Sequence, residues 1–289
     1  MPLRIIPRLD VKGPNLIKGI HLEGLRVLGK PDAFAKHYAE QGADELFYMD
    51  AVASLYGRNS LLDLIERTAR EIFIPLCVGG GIRSVDDIRK ALRAGADKVC
   101  INTAALARPE FISEAANLFG ASTIVVAIEA IRQTDGSYLC FTNCGREHTG
   151  VEAVAWAQRA TALGAGEIVV TSVDREGTGK GFDLDLTRKI SSQVSVPVVA
   201  HGGAGSVDDV VAAIEEGLAD AVAAASLLHY NAIKVLPFDE AQFGDEGNTD
   251  FVRKRRQDGF RPIRDCSLRE LRRQLTVRSY NLRQEAAHV

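Results

Sequence analysis

The sequence predicts one (β/α)8 barrel built from two related halves, followed by a C-terminal extension. Three observations lead there. Eight apolar runs alternate with longer amphipathic stretches, the runs carry no polar alternation, and the first half of the barrel region matches the second. Strands covered on both faces read as continuous apolar runs. Eight of them separated by helices form the pattern of a parallel barrel.

The runs are RIIPRLD (4–10), ELFYMD (45–50), IPLCVGGG (74–81), KVCIN (98–102), STIVVAIE (122–129), EIVVTS (167–172), VPVVAHGG (196–203) and DAVAAAS (220–226). Between them lie helical patterns such as DAFAKHYAEQGA, SVDDIRKALRAGA and GVEAVAWAQRATALGA. Gly95 and Gly164 fall where those helices should stop. A doubly wound open sheet would carry GxGxxG after its first strand, and that motif is missing there.

The internal match is specific. VGGGIRSVDDIRKALRAGADKV (78–99) parallels AHGGAGSVDDVVAAIEEGLADAV (200–222), and GADEL (42–46) parallels GAGEI (164–168). RIIPRLDVK (4–12) parallels TIVVAIEAI (123–131), which sets Asp10 opposite Glu129. Self-similarity at half the barrel's length means two half-barrels, since a solenoid repeats at a much shorter period. It also predicts paired sites about a pseudo-twofold axis.

The bulk numbers fit a soluble domain. The chain has 289 residues, 46% hydrophobic and 25% charged, with a net charge of -3. A general nucleic-acid binder needs a basic surplus, so that class is excluded. The start, MPLRIIPRLD, does not read as a signal peptide. No apolar run reaches membrane-spanning length. A cytoplasmic location is expected. None of the five cysteines forms a CxxC pair, so no structural zinc site is expected. Cys77 and Cys100 read as buried thiols of a reducing compartment. No metal or cofactor is indicated.

The loops after the strands should build the site. Gly79, Gly80 and Gly81 follow the third strand, and Asn102 and Thr103 end the fourth. Gly202, Gly203 and Gly205 follow the seventh, and Ala225 and Ser226 end the eighth. Such turns let backbone N–H groups approach a phosphate, with a helix N-terminus behind them. Ser84 and Ser206 read as the caps of those helices. Two turns at equivalent positions suggest a ligand phosphorylated at both ends. The plainer reading is that the glycines only permit tight turns. Asp10 and Glu129 end the first and fifth strands, and two opposed carboxylates can divide acid and base roles. Asp50, Asp174 and Glu176 sit at the same face, and Lys18 lies in the loop after the first strand. At the other end, Arg4, Glu45, Lys98 and Glu167 start strands one, two, four and six. Bottom-face charges usually stabilise a barrel; four of alternating sign also suit a ring closing the lumen.

RIIPRLDVK, GADEL, VGGGIRS, GADKVCIN, GAGEI, DREGT and AHGGAGS resemble, in order and spacing, the cyclase subunit of imidazole glycerol phosphate synthase. The resemblance covers roughly residues 3 to 230. It implies a (β/α)8 barrel that joins ammonia to a bisphosphorylated ribulosyl aminoimidazole nucleotide. The products would be imidazole glycerol phosphate and an aminoimidazole carboxamide ribotide. Ammonia would come from a glutaminase subunit docked at the N-terminal face, forming a heterodimer. By resemblance Asp10 is the first catalytic aspartate and Glu129 holds the second position. Arg4, Glu45, Lys98 and Glu167 are the ammonia gate. Gly80, Gly81, Asn102 and Thr103 bind one phosphate, and Gly202, Gly203, Ala225 and Ser226 the other. Lys18, Asp50, Glu176 and Gly177 complete the substrate site.

There are departures. Glu129 and Glu176 replace aspartates, Arg8 a cysteine, Ile131 a lysine and His201 a small residue. These changes keep two alternatives open. One is a paralogue supplying ammonia for amidino groups on surface sugars. The other is a non-enzymatic barrel that activates a glutaminase. The expected organisation is a barrel over 1–230 and an extension over 231–289 completing the last helix. A polar insertion at about 231–266 is a lid, a partner contact or a disordered loop. SLRELRRQL after it reads as a capped amphipathic helix.

Overall fold

The structure, a computed structural model, describes residues 2–51, 61–238, 249–258 and 262–283. Eight parallel strands close a barrel: β1 (Arg4–Lys12), β4 (Leu46–Asp50), β5 (Leu76–Gly79), β6 (Lys98–Ile101), β7 (Ile124–Arg132), β10 (Glu167–Ser172), β11 (Val198–His201) and β12 (Ala221–Ala224). Closure comes from the pairing of β12 with β1, beginning at Arg4 opposite Ala221. Helices α1 (Pro31–Glu40), α2 (Leu62–Glu71), α3 (Val85–Ala94), α4 (Thr103–Ala107), α5 (Glu110–Phe119), α6 (Ala153–Ala162), α7 (Leu184–Ser191), α8 (Val207–Glu215) and α9 (Ser226–Val235) connect the strands or follow the last one. The outer core lies between strands and helices. A separate apolar cluster, with Ile6, Phe47, Cys77, Cys100, Val125 and Val169, fills the lumen.

Local chemistry explains the helix starts. Ser84 Oγ accepts from Asp87 N, and the Asp87 carboxylate accepts from the Ser84 N–H, a reciprocal capping box. Ser206 and Asp209 repeat the hydroxyl contact at α8. Gly95 ends α3 in the left-handed conformation at φ 116°.

A second repeat emerges at the strand starts. Asp44, just before β4, accepts from Ile5 N at 2.8 Å. Asp97, before β6, accepts from Leu76 N, and Asp220, before β12, accepts from Val198 N, each at 2.9 Å. Each carboxylate thus accepts from the first or second N–H of the neighbouring strand, a donor at the strand's start that would otherwise lack a partner. Gly166 holds the fourth equivalent place. A Cβ there would lie 2.1 Å from the Ala121 carbonyl oxygen, so only glycine fits. The strands are therefore tied in sequential pairs.

Two hairpins were not foreseen. β2 (Asn15–Ile20) and β3 (Glu23–Gly29) add antiparallel to β1, while β8 (Tyr138–Thr142) and β9 (Glu147–Glu152) add to β7. The expected loop holding Lys18 is therefore a strand. The β2–β3 turn places His21 and Leu22 at φ 54° and 60°. Neither is the Gly, Asn or Asp of a usual two-residue hairpin turn, so the sequence carries no turn signal there.

The expected insertion is partly regular. Residues 231–235 belong to α9, and α10 (Thr249–Asp258) lies inside the segment; 239–248 and 259–261 lie outside the described residues. Phe251 of α10 packs 6.5 Å from the Tyr230 ring, and Arg26 of β3 lies 4.7 Å over it. The helix thus braces the first hairpin. Ser267 caps α11 (Leu268–Val277). Arg272 of α11 pairs with Asp44 at 2.6 Å, and Leu3 N donates to Asn281 O. Among the described residues no helix is long and apolar enough to cross a membrane.

Asp220→Ala removes one acceptor and should lower unfolding free energy by about 1 kcal/mol. Asp44→Ala also strands a buried Arg272 guanidinium and should cost about 3 kcal/mol. Urea denaturation measures both, and equal losses would remove Arg272 from the account.

Candidate active site

Alternate residues of each strand face the lumen, so the site is stacked in layers. At the bottom, Arg4, Glu45, Lys98 and Glu167 form a closed ring. Arg4 donates to Glu45 at 2.8 Å and to Glu167, and Lys98 donates to both carboxylates at 2.9 Å. Burial raises the Glu45 pKa, and the Lys98 charge opposes that rise. Burial would lower the Lys98 pKa, yet Glu45 and Glu167 raise it above the ordinary value. Among the described residues one ring acceptor, Glu45 Oε1, is buried without a hydrogen-bond partner.

At the top, a cavity of about 380 Å3 opens over the lumen. Asp10, Lys18, Asp50, Gly80, Gly81, Asn102, Thr103, Glu129 and Glu176 line it. Lys18, Glu176, Gly177, Gly202, Gly203, Ala225 and Ser226 line a second space of about 10 Å3. The two glycine turns are therefore unequal, one open and one nearly filled. Asp174 lines neither; its carboxylate accepts from Arg132 N.

The glycines are sterically required. Gly80 adopts φ 93°, and a Cβ would meet the Asp50 carbonyl oxygen at 2.3 Å. Gly203 adopts φ 109°, and a Cβ would meet Gly181 O at 2.1 Å. Behind these turns, Asn102 and Ala225 precede α4 and α9 with matching dihedrals, φ -128° and -116°, ψ -81° in both. Neither provides a side-chain cap, so first-turn N–H groups stay open to an acceptor.

Asp10 is not alone. Arg8, buried in the barrel, donates from Nε to Asp10 Oδ1 at 2.9 Å. Its Nη1 reaches Thr171 Oγ1 at 3.3 Å and His201 Nδ1 at 3.1 Å. Burial would lower the Arg8 pKa, but the Asp10 charge holds it above the ordinary value. Burial raises the Glu129 pKa, while the Arg8 charge opposes that rise. The Gly145 N–H donates to Glu129 Oε2 at 2.8 Å. That N–H comes from a turn in which Asn143, Cys144 and Gly145 all have positive φ. The Cys144 thiol beside it is pushed up to about 12 by burial, so it is no nucleophile at neutral pH.

Lys18 differs from expectation. It is buried, and its ammonium donates to Glu176 and, at 2.9 Å, to Gly19 O. Glu176 also accepts from Leu22 N at 2.9 Å, so it latches the first hairpin down. Gly177 lies beneath that hairpin, where a Cβ would meet Gly19 O at 2.6 Å. The sequence marked Arg8 and His201 as departures but gave no sign that they touch. The Gly145 contact had a signal, the Asn-x-Gly turn, that went unused.

Comparison with known proteins bears on this geometry. A family model described as "Histidine biosynthesis protein" matches residues 4–234. The chain belongs to that family. It is 57% identical over 207 residues to a Legionella pneumophila protein named imidazole glycerol phosphate synthase subunit HisF, covering 72% of this chain and 98% of that one. A relative of the same name from Alkaliphilus metalliredigens (strain QYMF) is 49% identical over 232 residues, covering 80% and 92%. Within this family's barrel, the present chain carries a guanidinium against its first carboxylate.

Removing the Arg8 charge should move Glu129 further upward, because a nearby cation favours the carboxylate. In Arg8→Met, 13C-carboxyl NMR should show Glu129 titrating at a higher pH than in the unaltered chain. An unmoved or lowered midpoint would remove Arg8 as the charge that governs Glu129.

Proposed function

We propose that this chain is the ammonia-using cyclase subunit of an imidazole glycerol phosphate synthase, serving histidine biosynthesis. One observation carries the reading: the charged ring, the apolar lumen and the carboxylates Asp10 and Glu129 lie in line along a single axis. Ammonia is neutral and can cross an apolar lumen, whereas ammonium would have to lose its hydration there. The closed ring at the bottom excludes bulk water and would have to part to admit ammonia.

Amine addition to a carbonyl needs a proton removed from nitrogen and one delivered to oxygen. Burial favours the protonated form of Glu129, which suits delivery. Asp10, held in place by the Arg8 guanidinium, is the carboxylate opposite Glu129 and would take the proton from nitrogen. Gly80, Gly81, Asn102 and Thr103 would hold one phosphate of the substrate, and Gly202, Gly203, Ala225 and Ser226 the other. Lys18 lines both spaces and would exchange Glu176 for a phosphate oxygen on binding.

The partner would be a glutaminase on the N-terminal face, around the ring. Exposed apolar side chains gather there. Phe73 precedes β5, Leu218 precedes β12, and Leu118 and Val277 lie in the last turns of α5 and α11. Phe73 is 97% exposed. Exposed apolar groups gathered on one face mark protein contacts.

Purified chain supplied with ammonium salts should turn over the bisphosphorylated aminoimidazole nucleotide, and Asp10→Asn should abolish this without unfolding the barrel. No turnover by the unaltered chain, with gain in Glu129→Asp, would shift the reading to the amidino-sugar alternative. Lys98→Ala should alter glutamine-dependent turnover, measured with the glutaminase present, far more than ammonium-dependent turnover. Equal effects on both would sink the gate.

A further inference from the structure

We propose that His201 is a ligand of the second phosphate turn, donating its Nε2–H to the anion, and that Arg8 fixes the tautomer this requires. The inference deepens the two-phosphate reading above and rests on it.

The repeat shows where His201 came from. It aligns with Gly79 of the first half, and Thr171 aligns with Met49. Both pairs are register partners on adjacent strands: Met49 faces Gly79, and Thr171 faces His201. In the first half Met49 fills the space, and a Cβ on Gly79 would lie 2.6 Å from its methyl carbon. In the second half the small Thr171 leaves that space to the imidazole. The exchange puts a polar ring beside Gly202.

The hydrogen bonds fix the ring's proton. His201 is 3% exposed, and its Nδ1 lies 3.1 Å from Arg8 Nη1 and 3.0 Å from Thr171 Oγ1. A guanidinium only donates. Nδ1 is therefore the acceptor, and the proton sits on Nε2. A charged ring would point a second N–H at Arg8. Burial, with the Arg8 and Lys18 charges, also holds His201 well below its ordinary pKa.

Nε2 has no hydrogen-bond partner among the described residues, yet His201 lines the small space with Gly202, Gly203 and Ser226. A second group there is unused. Among the described residues Ser226 Oγ is buried without a partner, and Ser226 opens the ten-residue helix α9. A buried hydroxyl and an imidazole N–H without acceptors, beside open helix N–H groups, call for an anionic acceptor. The first turn has no such imidazole, so the two ends of a bisphosphorylated ligand would meet different chemistry.

Histidine 15N NMR on the purified chain tests this, with inorganic phosphate as the probe. At neutral pH, His201 should be neutral with its proton on Nε2, and phosphate should shift that signal. His201→Ala should weaken phosphate binding at this turn about tenfold, as expected for a hydrogen bond to a charged group. An Nδ1–H tautomer or a charged ring would overturn the proposal without any variant. So would phosphate that moves the Asn102 and Thr103 amides while leaving His201 unmoved. None of these readouts uses turnover. A chain that bound phosphate at His201 but failed to cyclise the nucleotide would sink the function above and leave this inference standing.

Discussion

Barrel closure is the constraint from which the rest follows. Once β12 pairs with β1, every strand must turn alternate residues into a lumen that no other element can fill. Strand β1 shows the consequence at Arg4, Ile6, Arg8 and Asp10, which run inward from one end to the other. The charged residues sit at the two mouths, where water or a ligand can reach them, and the apolar ones sit between. A charge in the middle layer would be desolvated without a partner. Arg8 enters just above that layer, and it can do so because Asp10, Thr171 and His201 meet it there.

The half-barrel symmetry is strict in backbone and loose in chemistry. Glycine turns, serine caps and the dihedrals at Asn102 and Ala225 repeat closely, since turn geometry leaves few residue choices. Among side chains pointing into the lumen, the carboxylates repeat, Glu45 with Glu167 and Asp10 with Glu129, but their neighbours do not. Arg8 aligns with Ala127, Met49 with Thr171 and Gly79 with His201. A substrate whose two ends differ gains nothing from equal subsites. The asymmetry therefore lies where a ligand would be, and the symmetry where only the chain must turn.

The sequence made the barrel legible because a parallel strand covered on both faces needs an unbroken apolar run, and eight such runs admit few topologies. The serine caps were readable from local spacing alone. The aspartates before β4, β6 and β12 were visible as repeats, but their acceptor role needs the neighbouring strand in place. The first hairpin was hidden because its turn is held by Glu176 and Val173 from a distant segment, not by Gly or Asn at the turn. The ion pair of Lys18 was hidden for the same reason: its partner is 158 residues away. The bonds from Arg8 to His201 and Thr171 likewise join strands far apart in sequence.

Glu129 shows how a departure in sequence can be absorbed by structure. Its extra methylene relative to aspartate moves the carboxylate by an ångström or more, enough to spoil a reacting geometry if the side chain were free. It is not free. The Gly145 N–H fixes one oxygen at 2.8 Å, and the turn that presents this N–H holds three successive residues at positive φ. Two of them, Asn143 and Cys144, bear the strain of the left-handed region at about 1–3 kcal/mol each. An aspartate on the same strand would fall short of that N–H. The longer acid and the strained turn are thus fitted to each other. The second hairpin, which delivers the turn, belongs to the active site as much as the strand that carries the carboxylate.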